Sequence, residues 1–179
     1  MDNLLAEGKA VPMLIVMANG MVMTECEAGK LQLRHELFLE ELKQDIIPFI
    51  EQKYRVKKDR EHRAMAGLSM GSMQTSMLIG KDPELFAWAG LFSGFLHNLV
   101  GEHPDNSHLE EIRKPEFSRN MKLLFRGMGR QDDFWKNFEE DDAFCEEYSV
   151  VCIRREYEGG HDWNVWRKCI HDFLPMLFV

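Results

Sequence analysis

The chain has 179 residues, 45% hydrophobic and 29% charged, which fits one globular domain long enough to bury a proper core. A formal charge of −8 argues against nucleic acid or an anionic membrane as partner, since either requires a basic face, and the short Lys57 Lys58 Asp59 Arg60 cluster reads as a solvated loop. No apolar run approaches the roughly 20 residues that span a bilayer. The segment Met1 to Glu7 has no charged n-region or cleavage site, so no export signal is read, and Cys26, Cys145, Cys152 and Cys169, spaced without a Cys-x-x-Cys, read as reduced, mostly buried thiols.

In chain order, Met1 to Ala10 reads as the tail of a helix with Gly8 near its end. Pro12 to Met17 is a continuous apolar run that suits a strand covered on both faces. Leu39, Leu42, Ile46, Phe49 and Ile50 recur at helical spacing and predict an amphipathic helix from about Glu36 to Lys53, kinked or started late at Pro48. Arg63 to Ala66 predicts a strand end, followed by the turn Gly67 to Gly71 and a helix to about Ile79, with Gly80 as a left-handed cap. Phe86 to Phe92 reads as another buried strand. Residues 94–120 are the least regular, with a short helical stretch at Leu109 to Arg113, and suit a small cap insertion over the site. Lys122 to Gly127 predicts a strand, Asp133 to Tyr148 a helix, Val150 to Arg155 a strand, and about Asn164 to Phe178 a last helix after the Gly159 Gly160 His161 loop. The alternation gives a single α/β domain over 1–179, with a mostly parallel sheet of about five strands flanked by helices.

The turn carries the chemistry. Gly67 Leu68 Ser69 Met70 Gly71 is a Gly-x-Ser-x-Gly motif between a strand and a helix, the context in which the turn lifts a serine hydroxyl above the sheet edge. The carboxyl ends of parallel strands share one edge, so Ser69, Asp132 or Asp133, and His161, each just after a strand, can converge there. Their order, Ser, Asp, His, is that of an α/β-hydrolase triad. His161 would take the Ser69 proton, the aspartate would fix the imidazole, and the Met70 N–H at a helix start would receive an oxyanion. Each member has a plainer alternative: a small residue in a turn for Ser69, a surface loop for His161, a helix cap for either aspartate. Trp163 and Trp166 either wall an aromatic-substrate pocket or fill the core of the last helix. His103, His108 and Asp105 lack the spacing of a metal motif and read as a polar loop. The methionines around the serine read as packing filler.

Asp59 to Gly71, Pro12 to Gly20, and Gly159 Gly160 His161 Asp162 Trp163 with Trp166 resemble the esterase family that holds feruloyl esterases and related carbohydrate esterases. S-formylglutathione hydrolases are more distant relatives. The resemblance covers essentially the whole chain and implies an α/β-hydrolase fold, no metal or other cofactor, and hydrolysis of feruloyl or acetyl esters on plant polysaccharide. It implies Ser69 as nucleophile and His161 as base. The family's acidic member follows a Gly-x-x-Asp turn, which counts to Asp132 through Gly129 Arg130 Gln131, whereas alignment on Phe134 favours Asp133; Asp132 is taken. Such esterases also have earlier strands and a His-Gly-Gly type loop that gives a second oxyanion donor. The resemblance therefore implies a partial fold whose N-terminal strands are missing and whose oxyanion hole is incomplete. The alternative function is a weakly active or inactive remnant that works through a homodimer or a partner chain at its exposed sheet edge.

Overall fold

The computed structural model describes residues 1–25 and 29–179. They divide into two compact units, Met13–Lys58 and a larger one made of Met1–Pro12 with Asp59–Val179. The chain opens with helix α1 (Asp2–Ala6), which ends where the sequence suggests: Lys9 N–H returns to the Leu4 carbonyl at 2.8 Å and Gly8 takes φ +65°.

Where the chain passes into the smaller unit, the Pro12 to Met17 run departs from expectation. Residues 12–22 lie in neither helix nor strand, and Leu14, Ile15 and Val16 are about half exposed. A strand needs a neighbour to take its backbone hydrogen bonds, and among the described residues none pairs with this run. Strands β1 (Met23–Glu25) and β2 (Leu31–Leu33) pair antiparallel, Met23 opposite Leu33. Cys26 lies outside the described residues. The expected helix is present as α2 (His35–Glu41), a π turn (Leu42–Ile46) and α3 (Ile47–Lys53). In that turn Ile47 N–H donates to the Leu42 carbonyl, one residue further back than in an α-helix. Pro48 explains the local widening: it has no N–H to donate, and its ring would crowd the carbonyl four residues back.

The larger unit holds β3 (Ala64–Leu68), α4 (Met70–Lys81), β4 (Trp88–Phe92), α5 (Leu109–Ile112), α6 (Pro115–Asn120), β5 (Leu123–Gly129), α7 (Trp135–Glu147), β6 (Ile153–Tyr157) and α8 (Trp163–Phe173). The strands form one parallel sheet in the order β3-β4-β5-β6, with Leu68 opposite Phe92, Phe92 opposite Gly127, and Gly129 opposite Tyr157. The α/β class is as expected; among the described residues the parallel sheet has four strands rather than about five, because the Pro12 to Met17 run does not join it. The inner strands β4 and β5 are buried along their whole length, as parallel strands covered on both faces must be.

One core cluster joins Ile79, Leu91, Leu96, Leu124 and Phe144 with Leu109, Ile112 and Phe117, so α5 and α6 of the irregular segment contribute side chains to the main core. Elsewhere Phe92, Phe125 and Phe173 meet edge to face or tilted. Each large apolar side chain so buried contributes roughly 1.5–3 kcal/mol.

Three positions were not legible as what they are. Gly80 does not cap α4 but lies inside it, and a Cβ there would stand 2.4 Å from the His108 carbonyl oxygen; glycine lets the His108 segment pack against the helix. Arg60 is half-buried rather than a free surface charge: it donates to the carbonyls of Asn120 (2.9 Å), Pro83 (3.0 Å) and Phe86 (3.1 Å), tying the approach to β3 to two other loops. Arg126, in the middle of β5, is fully buried, donates to Asp142 (2.8 Å) and the Phe138 carbonyl (2.9 Å), and lies 3.7 Å from Asp141. Asp141 in turn accepts from Leu96 N–H and His97 Nδ1, and Arg154 donates to Asp142 at 2.7 Å. Among the described residues no helix is long and apolar enough to cross a membrane.

Candidate active site

The parallel register puts the carboxyl ends of β3, β5 and β6 on one edge, and the three segments that leave them converge there. Ser69 follows β3 with φ +52° and ψ −117°, a conformation that strains any residue with a Cβ. It persists because its surroundings over-determine it. Ser69 N–H donates to the Phe92 carbonyl at 2.9 Å, and its own carbonyl accepts from the Ser72 N–H (3.0 Å) and hydroxyl (2.6 Å). Helix α4 begins at the next residue, Met70, where the first N–H groups have no acceptor within the helix and point out of its start.

Asp132 and His161 sit on two loops laced together. Gln131 N–H donates to the Gly159 carbonyl at 3.0 Å, and Gly159 N–H donates back to Gln131 Oε1 at 2.6 Å. Asp132 is buried; its Oδ1 accepts the Phe134 N–H at 3.0 Å, which aims Oδ2 at His161 Nδ1, 2.9 Å away. Beyond His161, Asp162 caps α8 by accepting the N–H groups of Asn164 (2.7 Å) and Val165 (3.2 Å), and those bonds hold its carboxyl below the usual range. His161 Nε2 then lies 2.8 Å from Ser69 Oγ. An ionised carboxylate only accepts, so Nδ1 carries the proton and donates to Asp132, leaving Nε2 to accept from the serine hydroxyl. Asp133, the other candidate acid, is exposed and turned to solvent.

Aromatic rings surround the imidazole. Trp166 meets His161 edge to face at 5.2 Å, and Trp163 meets Trp166 in the same way at 5.2 Å. Trp163 is 61% exposed, which a tryptophan filling a core would not be. Phe134 lies 5.4 Å from the His161 ring and 5.3 Å from Phe95. Sequence reasoning used Phe134 only as an alignment mark; its place two residues after Asp132, on a strand-end loop, was the available signal. Ser93 was also missed. It follows β4 on the same edge, buried, with φ +44° and its N–H on the Gly127 carbonyl at 2.8 Å.

The His103, His108 and Asp105 group does not converge. His108 is buried with Nε2 on the Leu96 carbonyl at 2.8 Å, while Asp105 accepts from Ser107 N–H and Lys81. Among the described residues no cluster of three or more His, Cys, Asp or Glu side chains is placed to hold a metal ion. A cavity of about 460 Å³ near His97, Leu99, Pro104 and Phe144 is lined by none of Ser69, Asp132 and His161.

Comparison with known sequences gives this arrangement a family. The sequence model of the Esterase family matches residues 1–177. The chain belongs to that family. It is 33% identical over 183 residues to the endo-1,4-beta-xylanase/feruloyl esterase of Xylanibacter ruminicola, a match that covers 99% of this chain and 23% of that protein. It is 22% identical over 166 residues to the acetyl esterase of Caldicellulosiruptor saccharolyticus, covering 76% of this chain and 62% of the relative. Among solved structures, a ferulic acid esterase of the anaerobic fungus Anaeromyces mucronatus in complex with ferulic acid superposes with a TM-score of 0.78 at 22% identity, over 98% of this chain and 69% of that one. At that identity the likeness shows the fold, an α/β-hydrolase. The chain thus spans under a quarter of the first of these relatives and under two thirds of the second.

Proposed function

We propose that this chain is a serine carboxylic-ester hydrolase that works through Ser69, His161 and Asp132. The observation that carries the proposal is the hydrogen-bonded row from Ser69 Oγ to His161 Nε2 (2.8 Å) and from His161 Nδ1 to Asp132 (2.9 Å) at the carboxyl edge of the sheet. His161 takes the proton of Ser69 as Oγ attacks the ester carbonyl carbon. Asp132 keeps the ring in the tautomer that leaves Nε2 free to accept, and stabilises the imidazolium that forms. The negative oxygen of the tetrahedral intermediate accepts the Met70 N–H at the start of α4. His161 then returns the proton to the departing alcohol, leaving an acyl group on Ser69, and the same cycle with water releases the acid.

The substrate class follows from the rings and from the relatives. Trp163 and Trp166 beside His161 offer flat apolar surface to an aromatic acyl group or a sugar ring. The similar proteins are named for feruloyl and acetyl esters. Feruloyl or acetyl esters of plant polysaccharide are therefore the substrates we assign. The test is hydrolysis of methyl ferulate and of acetylated xylo-oligosaccharide by wild type and by Ser69→Ala. Release of acid by wild type alone supports the assignment; equal rates in both proteins overturn it.

A second reading, self-association through the sheet edge, rests on β3, which among the described residues is hydrogen-bonded in the sheet to β4 alone. Sedimentation at micromolar concentration tests it, with a strictly monomeric chain counting against.

A further inference from the structure

Helix α7 ends in a return turn. Ser149 takes φ +54° and Val150 N–H donates to the Cys145 carbonyl at 2.8 Å, so the chain folds back before entering β6. The return brings Cys152, one residue ahead of β6, against Cys145 in the last turn of α7. The two thiols are thereby neighbours at one edge of the main core cluster, close enough to influence each other's ionisation. Cys145 is buried in the main core cluster and Cys152 packs against that cluster, half-buried, next to the exposed Val151. The buried guanidinium of Arg126 lies beside the pair: Nη1 is 3.6 Å from Cys145 Sγ, and its positive charge also acts on Cys152. Asp142 and Asp141, on the Arg126 side, are the acidic groups that face the pair.

We propose that Cys145 and Cys152 are an oxidation site, a dithiol that hydrogen peroxide converts to an intrachain disulfide. The geometry assigns the roles. Cys152 is the more accessible sulfur, and its thiolate would be held by a thiol donor and a guanidinium, the electropositive, half-open setting that makes a cysteine reactive. Its thiolate attacks one peroxide oxygen, the O–O bond breaks, and the other oxygen leaves with a proton as water, giving a Cys152 sulfenic acid. The Cys145 sulfur then attacks the sulfenic sulfur, and the hydroxyl departs as a second water with the thiol proton. Two thiols lose two electrons and two protons, and one peroxide is reduced to two waters. The neighbouring Cys145 thiol lowers the Cys152 thiol below its ordinary range, and Arg126 adds to this; the same pairing, with burial, pushes Cys145 up. The bond needs the two sulfurs to close to about 2.05 Å. Cys169 is an internal control: it is buried, and burial pushes its thiol up to about 12.

The staple would join the end of α7, the helix after Asp132, to the start of β6, the strand that leads to His161. The decisive experiment exposes the wild-type chain to hydrogen peroxide, alkylates free thiols, and digests with a glutamate-specific protease, which cuts after Glu146 and Glu147 between the two cysteines. The expected result is one species holding both fragments, lighter by two hydrogens and separated by dithiothreitol, with Cys169 alkylated. In Cys145→Ser, which lacks the resolving thiol, dimedone should label Cys152. Separate fragments with both thiols alkylated, or a cross-link from Cys152 to a different cysteine, would overturn the proposal. Neither readout depends on ester hydrolysis.

Discussion

Gly67 and Gly71 approach so closely that a Cβ on Gly67 would stand 2.2 Å from the carbonyl carbon and oxygen of Gly71. A Cβ on Gly71 itself would meet nothing within 4 Å. The two glycines of one motif therefore differ. Gly67→Ala should destabilise the protein by about 1–3 kcal/mol through overpacking of the turn. Gly71→Ala, inside α4, should leave stability unchanged or raise it by roughly 0.5–1 kcal/mol. Urea denaturation of both variants checks the contrast.

The neighbouring acids of the β5 loop should separate as sharply. Asp132 is buried on His161 and Asp133 is exposed. Asp132→Asn, which disturbs the tautomer of His161, is expected to lower kcat on a nitrophenyl ester on the order of 10⁴-fold. Asp133→Asn should leave kcat near wild type. A steady-state comparison of the two variants distinguishes them.

Arg126 is the buried cation that Asp141 and Asp142 share. Arg126→Met keeps the bulk but leaves Asp141, fully buried, without its guanidinium, and should cost about 3–5 kcal/mol. Adding Asp141→Asn in the same chain should recover part of that loss. Denaturation midpoints of the single and double variants measure it.

His108 predicts a pH dependence of stability. Burial lowers its pKa in the folded state; Lys81 and His97 push the same way, while its bond to the Leu96 carbonyl and the charge of Asp105 oppose. The unfolded chain therefore binds a proton that the folded one refuses. The stabilisation is full above the unfolded value of about 6.5 and is lost as pH falls below it, toward the lowered folded value. His108→Gln should flatten the fall in stability between pH 7 and pH 5, followed by urea titration.

Local pattern made the candidate site legible and left its supports obscure. A strand, a turn with Ser69 and a helix can be read from adjacent residues, and parallel strands force Ser69, the aspartate loop and His161 onto one edge. Whether Asp132 or Asp133 turns inward depends on the loop's backbone, which is set by the Gly129 carbonyl, the Phe134 N–H and the partner loop at Gly159. None of these is local to the aspartates in a way that spacing reveals. The Pro12 to Met17 run has a strand's composition, but a strand also needs a neighbour, and composition does not supply one. In the sequence Gly80 and Arg60 read as a helix cap and a solvated charge, and Arg126 as one more residue of a strand. Each instead answers a contact at long range: the His108 backbone, three loop carbonyls, and two aspartates of α7.

The central claim is that Ser69 is the nucleophile activated by His161, and labelling with a fluorophosphonate, which phosphonylates an activated serine, tests it most directly. Intact mass and peptide mapping should find one adduct, on Ser69, in the wild-type chain, and none in His161→Ala after the same exposure. An unlabelled wild type, or an adduct on a different residue, would contradict the account.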